Sequence, residues 1–187
     1  MKAAVIVVLA CLCAASSQPA RAQTAPAIPL AAQSLVYQRD GAVQGCGVRL
    51  TGGEPSASGA SAWFDVSFNV FRRGIALAQS IAYEIRRSGY SGDSRPARVP
   101  VQSTWLKAAD GRARLGENLE RRDTLVYTLV LDDALSLFEA VGSGRTVSIG
   151  IKRWGQPIDS VYTGAPQLTS ETREQIAECL ARLAQQG

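Results

Sequence analysis

Histidine is missing from all 187 residues. Ser-His-Asp and Cys-His catalysis, imidazole acid–base work and metal sites built on imidazole all require it. Lysine is nearly as scarce, confined to Lys2, Lys107 and Lys152. A serine with a lysine base would have to pair Ser148 with Lys152, but four residues of extended chain hold them roughly 13 Å apart, too far for proton transfer. They read as one polar strand face. No CxxC pair, phosphate-binding loop, dinucleotide fingerprint or EF-hand spacing occurs. The turn "GSGRT" follows a predicted helix where a phosphate loop should precede one, and reads as a helix exit. The expectation is a chain with no catalytic, cofactor-binding or metal-binding residues.

After the N-terminus no apolar run approaches the ~20 residues that span a bilayer. The opening "MKAAVIVVLACLCAASSQPARAQTAP" has an early lysine, an apolar stretch from Ala3 to Ala15 and an A-x-A site, the layout of a secretory signal peptide. Residues 1–22 are expected to be removed after Ala22, leaving a periplasmic or secreted protein with no integral membrane segment. A lipoprotein reading at Cys11 would leave a hydrophobic segment of only about six residues, shorter than such segments usually are. Removal of Lys2 and Arg21 takes the basic count from 20 to 18 against 16 acids, so the formal charge falls from +4 to +2. Basic residues spread this thinly do not suit nucleic acid, which needs them clustered on one face. The pairs Arg72/Arg73, Arg86/Arg87 and Arg121/Arg122 read as solvated surface.

Residues 23–33, "QTAPAIPLAAQ", are rich in alanine and proline and read as a flexible segment, followed by a single β-rich domain over 34–187. "GCGVRLTG" places Cys46, Val48 and Leu50 on one strand face, and "GGEPSASGAS" reads as a loop. In "AWFDVSFNVFRR" Phe64, Val66, Phe68 and Val70 alternate with Asp65, Ser67 and Asn69, a strand with one buried and one wet face. "IALAQSIAYEIRR" continues the alternation and is predicted to complete a hairpin, a helix being the alternative suggested by its alanines. A loop over "SGYSGDSRPARVP" precedes a second hairpin turning at Asp110-Gly111, and then a strand with Leu125, Tyr127, Leu129 and Leu131 on one face. "DDALSLFEAVGSG" predicts a short helix packing through Leu135, Leu137 and Phe138. The run from "RTVSIGIKRWG" to "SVYTG" predicts another hairpin, and "LTSE" opens a C-terminal helix. The sum is a mainly β fold of about nine antiparallel strands, a sandwich or partly open barrel, with one internal and one C-terminal helix.

Without the leader only Cys46 and Cys179 remain. Ile176, Cys179, Leu180 and Leu183 recur at helical spacing, so both thiols fall on core faces of a chain expected to meet an oxidising compartment. A Cys46–Cys179 disulfide is predicted, closing a loop of about 130 residues and worth about 4 to 5 kcal/mol. A nucleophilic cysteine would need an activating partner. The carboxylate pair Asp132/Asp133 suits a helix N-terminus, and Glu117/Glu120 sits in a charged hairpin. Trp63 and Phe71 fall on the polar side of the Phe64 strand and Trp154 on the opposite parity to Val147. Together with Tyr90 and Arg95 of the long loop they form the candidate binding surface, the alternative being that both strand faces are covered, one by the opposing sheet and one by a helix.

The C-terminal third, "LVLDDALSLFEAVGSGRTVSIGIKRWGQPIDSVYTG" followed by "AECLARL", resembles the endings of small exported bacterial proteins of the invasion-associated locus B kind and related periplasmic families. The shared pattern is a short helix, a glycine turn, a strand pair and a closing helix. The resemblance implies a periplasmic or secreted, non-enzymatic β protein and assigns no functional residue. The cysteine placement and the first half of the chain depart from that pattern. The expected function is binding of a protein or envelope component. The alternatives are a small hydrolase with Asp or Glu in a cleft, and an inhibitor of a periplasmic enzyme presenting the 88–100 loop.

Overall fold

Period-two alternation is strongest in the middle of the chain, and there the fold is simplest. In the computed structural model, described over residues 29–55, 61–87, 94–108 and 111–185, Ala42–Pro55 (β2), Ser61–Phe71 (β3) and Ala76–Arg87 (β4) form an antiparallel meander. Its inward face sets large against small. Phe64, Phe68 and Val70 stand opposite Ala82, Ala78 and Ala76, and Cys46, Val48 and Leu50 lie on the same side. The segment with alternative helical character is therefore a strand, and its Ala78 and Ala82 are fully buried because Phe68 and Phe64 fill the space across the rung. The turn between β3 and β4 is a single 3-10 turn, Arg72–Gly74, in which Arg73 takes a left-handed conformation at φ 63°.

Leu30–Arg39 (β1) pairs with β2. The 23–33 segment is thus not all flexible: Leu30 is fully buried and starts the strand, because it packs over Gly52 beside Phe64. Residues 23–28, the leader and Asp110 lie outside the described residues. Two loops expected from composition are also partly strand. β2 continues through Gly52, Gly53 and Glu54 to Pro55. Ser94–Val99 (β5) pairs with the second half of β4, its Pro96 tolerated because β5 is an edge. The inner half of β4's free edge takes Thr124–Leu129 (β8) instead.

Val101–Lys107 (β6) leaves the large sheet at Pro100 and, with Ala113–Glu117 (β7), Val147–Arg153 (β9) and Ser160–Gly164 (β10), builds a four-stranded sheet in the order β10-β9-β6-β7. The large sheet has seven strands, closed at the β1 edge by the two-residue Pro166–Gln167 (β11), which runs parallel to β1. Among the described residues the fold is mainly β with eleven strands against the nine expected, and neither sheet closes into a barrel. The sheets face each other as a sandwich: Phe64 of one meets Tyr162 of the other with ring centroids 4.4 Å apart. Residues of both sheets and both helices bury one continuous core.

The helices cover the rest of the large sheet's inner face. Leu131–Gly142 (α1) starts one residue before its acidic pair, so Leu131 belongs to the helix and not to the preceding strand. It sets Phe138 edge-on to Phe68 at 5.0 Å. Ser170–Gln185 (α2) is capped by Thr169, whose hydroxyl accepts from the Thr172 amide at 3.1 Å. Cys179 of α2 is bonded to Cys46 of β2 across a separation of 133 residues, as the apolar stripe predicts.

Candidate functional site

Inward parity uses up one set of β3 side chains, so the other set must point away from the core. That outward set is Trp63, Asp65, Ser67, Asn69 and Phe71, flanked by Leu77, Ile81 and Tyr83 of β4 and by Tyr37 of β1. Both helices and the small sheet lie on the opposite side, so among the described residues this outer face has no covering element. The strand was expected to be wet here. Ser67 and Asn69 are instead buried by their neighbours, while Trp63 is 47 % exposed.

The neighbouring strand explains how large groups lie flat on this face. Gly45, Gly47 and Gly53 of β2 are the direct partners of Phe71, Asn69 and Trp63. A Cβ at Gly47 would sit 2.0 Å from the Asn69 Oδ1, and one at Gly53 2.7 Å from the Trp63 ring. Three glycines thus let the side chains of β3 lean across β2. Polar bonds fix the centre: the Tyr37 hydroxyl donates to Asn69 Oδ1 at 3.0 Å, and Arg49 pairs with Asp65. The hydrogen bond to Asp65 holds the Arg49 guanidinium above its ordinary pKa, and partial burial raises the Tyr37 phenol.

The expected binding residues do not form one patch. Trp63 and Phe71 share the outer face but stand at opposite ends of β3, roughly 26 Å apart at strand rise. Tyr83, the direct partner of Trp63, is its neighbour in place of Phe71. Phe71 stacks at a tilt on Tyr37, with ring centroids at 5.1 Å. Trp154 lies beyond the end of β9, where its amide donates to the Pro100 carbonyl at 3.0 Å, beside a polar hollow of about 250 Å³ shared with Glu117, Asn118 and Lys152. Tyr90 lies outside the described residues. Arg95 is placed only as a backbone position in β5, opposite Arg86.

Two of the four candidate carboxylates, Asp133 and Glu120, are engaged with arginines. Asp133, in the first turn of α1, accepts from Arg112 at 3.4 Å and from the buried Arg114 at 3.2 Å. Glu120 is turned to Arg122, whereas Glu117 lines the polar hollow beside Lys152. The 88–100 segment, expected as a presented loop, contributes β5 from Ser94 onward.

Two features escaped the sequence. Trp105 of β6 lies on the outer face of the small sheet across Gly150, its Nε1 donating to Asp159 at 2.7 Å. The second is an apolar groove between α1 and α2, lined by Leu131, Leu135, Leu180 and Leu183. A signal for the groove was present. Leu131 and Leu135 add apolar positions beside the Ala134, Leu137, Phe138 and Val141 face that packs on the core, more than one buried face requires. Leu135, expected to pack, is 43 % exposed for this reason. No helix among the described residues is long and apolar enough to cross a membrane. No protein-family model, curated protein or solved structure matches the chain.

Proposed function

We propose that this chain is an exported, non-catalytic β-sandwich protein that binds a protein or envelope component through the outer face of its large sheet. The observation that carries the reading is the uncovered sheet face, with exposed Trp63 beside Tyr83 and a polar centre held by Arg49, Asp65, Tyr37 and Asn69. Rigid aromatic groups next to fixed polar groups are what protein-binding surfaces use for anchoring and orientation. The leader-like residues 1–22 and the resemblance of the C-terminal third to exported families support the compartment. The disulfide suits it as well.

The test is capture of partners from a native cell envelope by the purified protein, with Trp63→Ser and Tyr83→Ser compared against Leu115→Ser on the outer face of the small sheet. A partner held by the parent and by Leu115→Ser, and lost from both outer-face variants, is the expected result. Equal capture by all four proteins, or turnover of an envelope substrate that one carboxylate variant abolishes, would overturn the reading. The intact mass of chain recovered from the producing cell's exterior reports cleavage after Ala22.

A further inference from the structure

The groove between α1 and α2 lies on the opposite side of the large sheet from the proposed binding face and was not absorbed by it. Its walls come from helical spacing: Leu131, Leu135 and Phe138 on α1 face Ile176, Leu180 and Leu183 on α2, and Val70 of β3 closes one end. The groove consists of two hollows, of about 570 Å³ and about 300 Å³, that meet at Leu135 and Leu180, which line both. From Arg173 to Ala184 it runs about 16 Å along α2. Volumes of this order belong to small-molecule sites.

Charge at the groove has one sign where it is most open. The larger hollow ends at Arg72 and Arg73 of the 3-10 turn, and no Asp or Glu side chain lines it among the described residues. The smaller hollow is bordered by Arg173 and by Glu139, the latter turned to Arg145 at 2.7 Å. An apolar trough with a cationic mouth is complementary to a molecule with a long hydrocarbon tail and an anionic head. A flexible hydrocarbon chain can follow both hollows past the Leu135 and Leu180 side chains that line them.

We propose that the α1/α2 groove binds a long-chain fatty acid, its hydrocarbon tail lying along Leu131, Leu135, Leu180 and Leu183 and its carboxylate at the exposed Arg73. Phe71, at the far end of β3 from Trp63, borders the larger hollow, but Trp63 and Tyr83 do not line it, so either reading can fail without the other.

Equilibrium dialysis of the full chain against labelled palmitate, with monopalmitoylglycerol as the neutral probe and hexadecyltrimethylammonium as the cationic one, tests this. One saturable palmitate site is expected, with weaker binding of the neutral probe and weakest of the cation. Arg73→Asn, a residue type that tolerates the left-handed backbone, should weaken palmitate about fivefold and leave the neutral probe unchanged. Leu135→Glu, on a 43 % exposed position, should weaken both by at least about tenfold, because it sets a carboxylate against the tail. Leu115→Gln should bind like the parent. Thermal unfolding of each variant reports whether it folds. Non-saturable uptake, equal affinity for the cationic probe, or undiminished palmitate binding by folded Leu135→Glu would overturn the proposal. Loss of an envelope protein from Leu135→Glu with palmitate binding intact would overturn it in favour of a protein-docking groove.

Discussion

Replacing Cys46 and Cys179 together with alanine should cost this protein more stability than any single core truncation. The cysteines are 133 residues apart, and the chain-entropy relation for a loop of that length gives about 5 kcal/mol at 25 °C. Both residues lie in the core, Cys46 at 1 % and Cys179 at 3 % exposure, so losing the sulfurs adds a packing penalty of about 1 kcal/mol. The combined loss is comparable to the whole stability of an ordinary domain. It should also be local in the folded state. Apart from the disulfide, α2 is held by Ile176, Leu183, half-buried Leu180 and the Ser34–Gln175 hydrogen bond. The meander of β2, β3 and β4 keeps its own ladder and core. Urea unfolding followed by circular dichroism should show a lower midpoint and a steeper m value, since the uncrosslinked unfolded chain exposes more surface. Hydrogen exchange should quicken in α2 well before it does in β3. A loss below about 1 kcal/mol with unchanged α2 protection would refute the reasoning, because it would mean that packing alone fixes the helix and that the unfolded chain is restrained by something else.

Gly150→Val should force the Trp105 indole off its rung, because a Cβ there would lie 2.0 Å from Trp105 Cε2; a loss of about 1 to 3 kcal/mol and greater quenching of tryptophan emission are expected. Asp133→Asn removes the carboxylate facing buried Arg114 and should cost about 2 kcal/mol, less than a fully sealed pair because Arg114 keeps its 2.7 Å bond to the Arg112 carbonyl. The double change Asp133→Leu with Arg114→Met should recover most of that loss in chemical denaturation. Tyr127 predicts an alkaline limit. Burial raises its phenol above the ordinary 10.0, so its contribution is complete below pH 10 and is lost as pH rises through the folded value. Tyr127→Phe should flatten stability above pH 10 apart from a smaller share due to Tyr37. At neutral pH it should gain about 1 kcal/mol, since the buried hydroxyl has no hydrogen-bond partner among the described residues.

What the sequence made legible was periodicity. The Phe64 to Val70 alternation located β3 and its inward face. The stripe through Ile176, Cys179 and Leu183 located α2 and, with the face of Cys46, the disulfide. What it hid were effects of neighbours distant in the chain. The glycines of "GGEP" and the proline of "SRPARV" are loop signals locally, yet Gly52 and Gly53 are needed in β2 because Phe64 and Trp63 lie over them, and Pro96 is harmless on an edge strand. Asn69 reads as a wet residue and is buried because Tyr37, more than thirty positions away, reaches over to bond it. The candidate surface was half legible for the same reason. Parity sent Trp63 outward, but only the register of β4 shows that its neighbour is Tyr83 and not Phe71. The inter-helix groove was legible only as surplus apolar positions on α1, because how two helices sit on a sheet is set by packing between distant elements.

The pairing of glycine with a bulky partner across a rung carries a constraint of its own. Gly45 with Phe71, Gly47 with Asn69, Gly53 with Trp63 and Gly150 with Trp105 are direct cross-strand partners. In each the space on the rung is shared by the pair and not fixed by either position alone. In related chains such positions should change together: a large residue at 150 should appear only where 105 is small. Exchanging the two, Gly150→Trp with Trp105→Gly, should fold better than Gly150→Trp alone. The unit of heredity on these sheet faces is therefore the rung, and an alignment read one column at a time would mistake it for two unrelated tolerances.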